Sequence, residues 1–269
     1  MVRSKVVVNE RKFLVDVGIK DLPFPIQVVS KDDPDDKHTI ANVSMTARIL
    51  KEFEARWIDK FIRILHHHRE RLGPKTLKVI MDDCLAEFQA SSVQMDFEYP
   101  IFVEKVSPIS EERCLVQYMC AHSAKMHSGG EEPLITFRIE VPCITTYPGA
   151  IPERPEGLFG QLSTVAITVK TKKEVYPEDL VRIVDTCALA PVYSFLDDED
   201  QIYIIQKIHS EKKSSVVMID EIKDMLALNR NIEWYSVRCY NYGMLHSYTT
   251  IIGTEKCHPP QTGVQDVPS

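Results

Sequence analysis

Apolar side chains in the first fifty or so residues come in short runs separated by turn residues and charge. Val6–Val8, Phe13–Val17, Ile26–Val29 and Thr39–Ala47 are strand candidates. Between them Gly18–Pro23 reads as a turn that ends extended structure, and Lys31–Asp36 as a charged hairpin tip. The period then changes. Trp57, Phe61, Ile64 and Leu65 recur at helical spacing, and after Gly73-Pro74 so do Leu77, Ile80, Met81, Cys84, Leu85 and Phe88. Two further strand-like runs, Tyr99–Val103 and Cys114–Ala121, complete a ββααββ order.

The remainder repeats that layout without repeating its residues. Strands are expected at about Ile135–Thr146 and Leu162–Lys170, helices at Pro177–Ala188 and Ser215–Leu228, and closing strands at Trp234–Tyr240 and Ser247–Ile252. Consecutive helices between paired alternating strands predict an α+β fold, an antiparallel sheet with helices on one face. The division falls into residues 1–133 and 134–269. At its centre Val141–Ala150 and Gly157–Thr164 form a Pro/Gly-rich loop between two strands, suited to presenting ligand-binding residues at a sheet end.

Composition narrows the function classes. A chain of 269 residues with 44% hydrophobic content can bury a sizeable core. A net charge of -7 and the lack of a long basic stretch disfavour nucleic acid as a partner. No apolar run is long enough to span a bilayer, and no secretory leader is recognised. Seven cysteines without a C-x-x-C pair fit a reducing cytoplasm, each thiol reading as a small buried apolar group. His66, His67 and His68 are consecutive on a helix, so their rings point about 100° apart and do not converge on one ion. His122 and His127 flank Ser123–Gly130, which reads as an exposed hairpin.

Several phrases carry a family resemblance, among them Val17–Leu22, Tyr99–Val103, Ser107–Ser110, the central loop, and the strand Val165–Val169. Over about Val15 to Thr254 the chain resembles the GTP cyclohydrolase IB family of metal-dependent tunnelling-fold (T-fold) enzymes. The resemblance implies a tandem T-fold whose sheet edges are covered by joining subunits into a barrel, a homodimer or homotetramer, with sites at subunit interfaces. It also implies that the family's chemistry has changed here. The metal-binding Cys falls on Gly149, the metal-binding His on Phe159, and the Glu on Gln201, with Glu199 and Asp200 nearby. Further family histidines fall on Trp57 and Tyr248, a Glu falls on Gly243, and only His246 is retained. The guanine-anchoring Glu becomes Ile219 beside Asp220 and Lys223, and a phosphate-binding Arg becomes Leu162.

Three readings stay open. In the first, a metal-independent and cofactor-free enzyme binds a small planar heterocycle, purine- or pterin-like, through Tyr147, Gly149, Phe159, Gln201, Trp57 and Lys223, with His246, Tyr248 and Asp220 as catalytic groups. In the second, ligands relocated to Cys143, His246 and Glu199 keep a metal-dependent GTP cyclohydrolase forming dihydroneopterin triphosphate. In the third, a non-catalytic ligand-binding or scaffold protein keeps only the oligomer.

Overall fold

The computed structural model describes residues 14–31, 37–50, 57–69, 71–130, 132–151, 153, 157–243 and 245–256. Its first part holds β1 (Leu14–Val28), β2 (Lys37–Leu50), α1 (Trp57–His67), β3 (Arg71–Leu72), α2 (Pro74–Phe88), β4 (Ser92–Val106) and β5 (Arg113–His127). The second holds β6 (Leu134–Thr146), β7 (Gly160–Thr171), α3 (Pro177–Cys187), β8 (Ala190–Pro191), α4 (Asp198–Ser210), α5 (Ser215–Leu228), β9 (Ile232–Tyr242) and β10 (Thr249–Glu255). The strand candidate Val6–Val8, most of the hairpin tip and Cys257 lie outside the described residues.

One sheet runs through both parts in the order β10-β9-β7-β6-β5-β4-β2-β1-β3, with β8 beside β6. Its strand pairs are antiparallel except β1 with β3. Period-two alternation decides which face is covered. On β5, Cys114, Val116, Tyr118, Cys120, His122, Ala124 and Met126 are buried, and most residues between them are exposed. The helices supply the matching apolar stripes: Phe61, Ile64 and Leu65 on α1, Leu77, Ile80, Met81 and Cys84 on α2, Leu180, Val181 and Val184 on α3, and Met218, Ile222 and Leu226 on α5. This is an α+β protein with a large antiparallel sheet. No helix among the described residues is long and apolar enough to cross a membrane.

Three local expectations are corrected. Gly18–Pro23 is not a turn, because β1 continues through it with a register shift between Ile19 and Leu22. Asp21 takes φ 55° and its N–H donates to Ser44 Oγ at 3.2 Å, so a bulge absorbs the irregularity. Among the described residues the second part has three helices rather than two. Asp197 caps α4 by accepting the Asp200 N–H at 2.8 Å, and Asp198, Glu199 and Asp200 place negative charge at its positive end. Asp200 then accepts from Ile109 N–H (2.8 Å), Ser110 N–H (3.2 Å) and Ser110 Oγ (2.6 Å), tying α4 to the β4–β5 hairpin. Burial alone would raise its pKa, yet these donors hold the carboxyl well below its ordinary range.

The third correction concerns His122, which lies inside β5, buried, and not in an exposed hairpin. Its Nδ1 shares a 2.9 Å hydrogen bond with the Tyr99 hydroxyl, and its ring lies 4.9 Å from that of Phe137. The three consecutive histidines, by contrast, diverge as expected. His66 meets the edge of Phe24, His67 Nδ1 bonds Arg63 O (2.9 Å), and His68 Nε2 bonds Asp83 Oδ2 (2.7 Å).

Burial pushes the His122 pKa down from 6.5 to about 4, so the fold holds a neutral ring. Between those values the unfolded chain binds the proton and the native chain does not, so stability falls as pH drops through this window. The loss reaches roughly 3 kcal/mol at its acid end. Urea midpoints measured from pH 7 to pH 4 should therefore fall more steeply for the wild type than for His122→Gln. Parallel curves would show that His122 is not the buried base.

Candidate functional site

The central loop leaves the sheet at the end where β4 and β6 finish and β7 begins. Tyr147 N–H donates to Phe159 O at 2.9 Å, extending the β6–β7 ladder past its last pair, Thr146 with Gly160. That pairing brings the two rings together, stacked with centroids 4.8 Å apart and planes 19° apart. Ala150 N–H bonds Tyr147 O at 3.0 Å and closes a turn that contains Gly149. A Cβ on Gly149 would lie 2.9 Å from Tyr147 Cε1, so the glycine clears room for that ring.

The α4–α5 connection packs on the same end. His209 Nδ1 contacts Leu158 O at 2.6 Å, Thr146 N–H donates to Lys213 O (2.8 Å), and Lys213 N–H donates to Thr146 Oγ1 (2.7 Å). The Lys213 ammonium pairs with Glu221. Beneath these contacts a polar layer crosses three strands. Gln161 Nε2 donates to Thr145 Oγ1 (3.2 Å), Thr145 meets Ser163 (2.9 Å), and Ser163 Oγ donates to Asn241 Oδ1 (2.8 Å). Asn241 Nδ2 donates to Ser215 Oγ at 3.2 Å, fastening the first residue of α5. Thr145, Gln161, Ser163 and Asn241 are all buried. Their only sequence signal is a polar residue at inward positions that elsewhere on β7 and β9 hold Val165, Ile167, Val237 and Cys239.

His246 and Tyr248 lie in the β9–β10 connection, exposed, with rings stacked 4.8 Å apart and nearly parallel. Ser163 pairs with Asn241, so this connection rises at the sheet end that also carries Tyr147 and Phe159, with β7 between them. The other candidates are placed elsewhere. Gln201 is exposed on α4, and its Nε2 donates to Leu196 O at 3.1 Å. Asp220 and Lys223 pair with each other on α5. Ile219 is buried. Trp57 opens α1, edge-on to Phe61 at 6.1 Å, following β2, which finishes at the opposite end of the sheet.

A metal ion needs several donors aimed at one point. The Gly149 and Phe159 side chains carry no donor atom, and Gln201 is exposed on α4 with its Nε2 donating to Leu196 O just before the helix. Cys143 is fully buried, its thiol 3.8 Å from Met218 Sδ and pushed well up by burial, while Glu199 is exposed on α4. Among the described residues no three His, Cys, Asp or Glu side chains gather where they could hold an ion. These positions do not fit the metal of the resembled family. The paired aromatic rings instead offer a flat apolar wall beside a polar layer.

A uricase from Bacillus fastidious superposes with TM-score 0.56 at 10% identity, over 92% of this chain and 94% of its own. Urate oxidase from Bacillus subtilis 168 does so with TM-score 0.54 at 12% identity, over 90% and 97%. At such identities the likeness is one of fold. Curated relatives stand nearer in sequence. GTP cyclohydrolase FolE2 of Pelobacter propionicus is 27% identical over 239 residues, 89% of this chain and 91% of the relative, and that of Thermosipho africanus is 26% identical over 232 residues, 86% and 88%. The family model for type I GTP cyclohydrolase FolE2 matches residues 8–251. The motifs resembled GTP cyclohydrolase IB, and the membership established is the one this model describes. The chain belongs to the type I GTP cyclohydrolase FolE2 family, a family of enzymes.

Proposed function

We propose that this FolE2-family chain is an enzyme that binds a planar heterocycle, a purine- or pterin-like ring, at the sheet end built by Tyr147, Gly149 and Phe159, without a metal ion. Family membership supports the GTP cyclohydrolase class of substrate. The observation that carries the site is the Tyr147–Phe159 stack over Gly149, at the sheet end shared with His246 and Tyr248. A flat ring gains dispersion and quadrupole contact on such a wall, and nearby polar groups set its orientation. His246 supplies an imidazole that can both accept and donate a proton, with Tyr248 stacked against it. Asp220 and Lys223 satisfy each other on α5, so in this reading the proton chemistry rests on the imidazole. Relocation of a metal site to Cys143, His246 and Glu199 is disfavoured by the burial of the thiol against Met218.

In the same reading residues 1–133 and 134–269 are tandem T-folds that assemble with further copies into a barrel. The sheet supports this, because among the described residues no strand pairs beyond β10, and β3 covers β1 only at Gln27 and Val28. Exposed Ile251 and Tyr242 lie next to that edge. Assembly would also give Trp57 of one copy a route to the Tyr147–Phe159 end of another.

Three measurements test this. Size-exclusion chromatography with light scattering should give a homodimer or larger, and a stable monomer would overturn the barrel. Elemental analysis of the purified protein should find no stoichiometric zinc, manganese or iron. About one ion per chain, lost in His246→Ala, would restore the metal-dependent reading. In thermal-shift titrations, purine and pterin compounds should raise the melting temperature, and Phe159→Ala should weaken that binding about tenfold, the worth of one good aromatic contact. Absence of any shift, or GTP binding only when divalent metal is added, would sink the proposal.

A further inference from the structure

The face of the sheet away from the helices carries a depression of about 230 Å³ lined by Arg138, Ala166, Thr168, Trp234, Ser236, Arg238, Tyr240 and Glu255. Its frame is β9, where Trp234, Ser236, Arg238 and Tyr240 are alternate residues and share one face. They face away from Cys239 and Asn241, so this site is separate from the polar layer described above. Arg238 has small cross-strand neighbours on both sides, Ala166 on β7 and Gly253 on β10. A Cβ on Gly253 would lie 2.9 Å from Val237 O and 3.1 Å from Arg238 Cγ, so a larger residue would press on the arginine stem. The guanidinium therefore stands in a clearing.

The charges are unevenly matched. Arg138, one strand beyond β7, is ion-paired with Glu140. Arg238 has no ion pair among the described residues, and Glu255 in the same lining makes none with it. A guanidinium with no ion pair among the described residues offers a planar fork of donors that matches a carboxylate, and Trp234 stands on the same face of β9 with only Ser236 between them, while Tyr240 lies on the far side of Arg238. The Ser236 and Thr168 hydroxyls lie in the next cross-strand row. A space of about 230 Å³ is below the usual range of roughly 300–1,000 Å³ for drug-sized ligands, so it takes one or two fused rings and not a nucleoside triphosphate.

We propose that this depression is a second ligand site, which binds a small aromatic carboxylate with its ring against Trp234, over the Ser236–Thr168 row, and its carboxylate on Arg238. The site does not depend on the reading given for the Tyr147–Phe159 end, and Phe159→Ala should leave it unchanged. The probe is nicotinate, titrated against tryptophan fluorescence, since the chain has two tryptophans, Trp57 and Trp234. Saturable quenching is expected in the wild type and in Trp57→Phe, and its loss in Trp234→Phe. Arg238→Gln should weaken binding at least tenfold with an unchanged melting temperature, and uncharged nicotinamide should bind the wild type equally poorly. The proposal is overturned by no saturation in the millimolar range, by equal binding in Arg238→Gln, or by quenching that follows Trp57. Displacement of nicotinate by inorganic phosphate at equal strength would reduce the site to a bare anion site and overturn the aromatic assignment.

Discussion

The register between β5 and β6 is the constraint on which the rest of the molecule depends. Seven residue pairs, from Met119 with Glu140 to Lys125 with Leu134, join the two parts into one sheet. Side chains alternate with a period of two, so this seam fixes which face each part presents to its helices. A slip of one residue would turn Phe137, Ile139, Val141 and Cys143 outward together. It would also put the polar layer under Thr145 and Ser163 on the wrong side of the sheet.

Side-chain ties brace the seam from both directions. Lys105 on β4 bonds Asp185 on α3 at 2.7 Å and lies over the rings of Tyr118 and Tyr193. Burial raises the Asp185 pKa against the pull of that ammonium. Such a pair adds little net stability over an apolar pair, but losing one partner strands the other charge and is strongly destabilising. Glu178 on α3 accepts from Ser30 at 2.7 Å and contacts Lys37 at 3.3 Å, reaching across to the β1–β2 hairpin. Together with Asp200 these ties draw the helices of the second part over strands of the first.

The alternation that defines the sheet was legible in the chain, and so were four of the five helices among the described residues, because each rests on apolar spacing that tertiary context does not overrule. Features resting on a single residue's surroundings were not legible. Gly18–Pro23 carries turn residues, yet pairing with β2 kept it extended, and a bulge at Asp21 met the local preference. Helix α4 escaped because Ile202, Tyr203 and Ile205 are largely exposed and Ile204 alone of its apolar residues is buried, which leaves no clean stripe. At the site, Tyr147 and Phe159 could be named from the loop that holds them. Whether Trp57, Gln201 and Lys223 stood nearby was a question of long-range placement, and spacing along a chain carries no such information. His122 shows the same limit, since nothing in its neighbours revealed that Tyr99 would meet it.

The six described cysteines are all buried. Burial pushes the Cys84 thiol up to about 12 and the Cys239 thiol up to about 11, so almost none is thiolate at neutral pH. These residues are spread over both parts, Cys84 on α2, Cys114 and Cys120 on β5, Cys143 on β6, Cys187 on α3 and Cys239 on β9. Their chemistry is therefore gated by the opening of the helical layer. A thiol-specific reagent would modify them only as fast as that layer lifts from the sheet, and the order of labelling would read out which part of the protein breathes first.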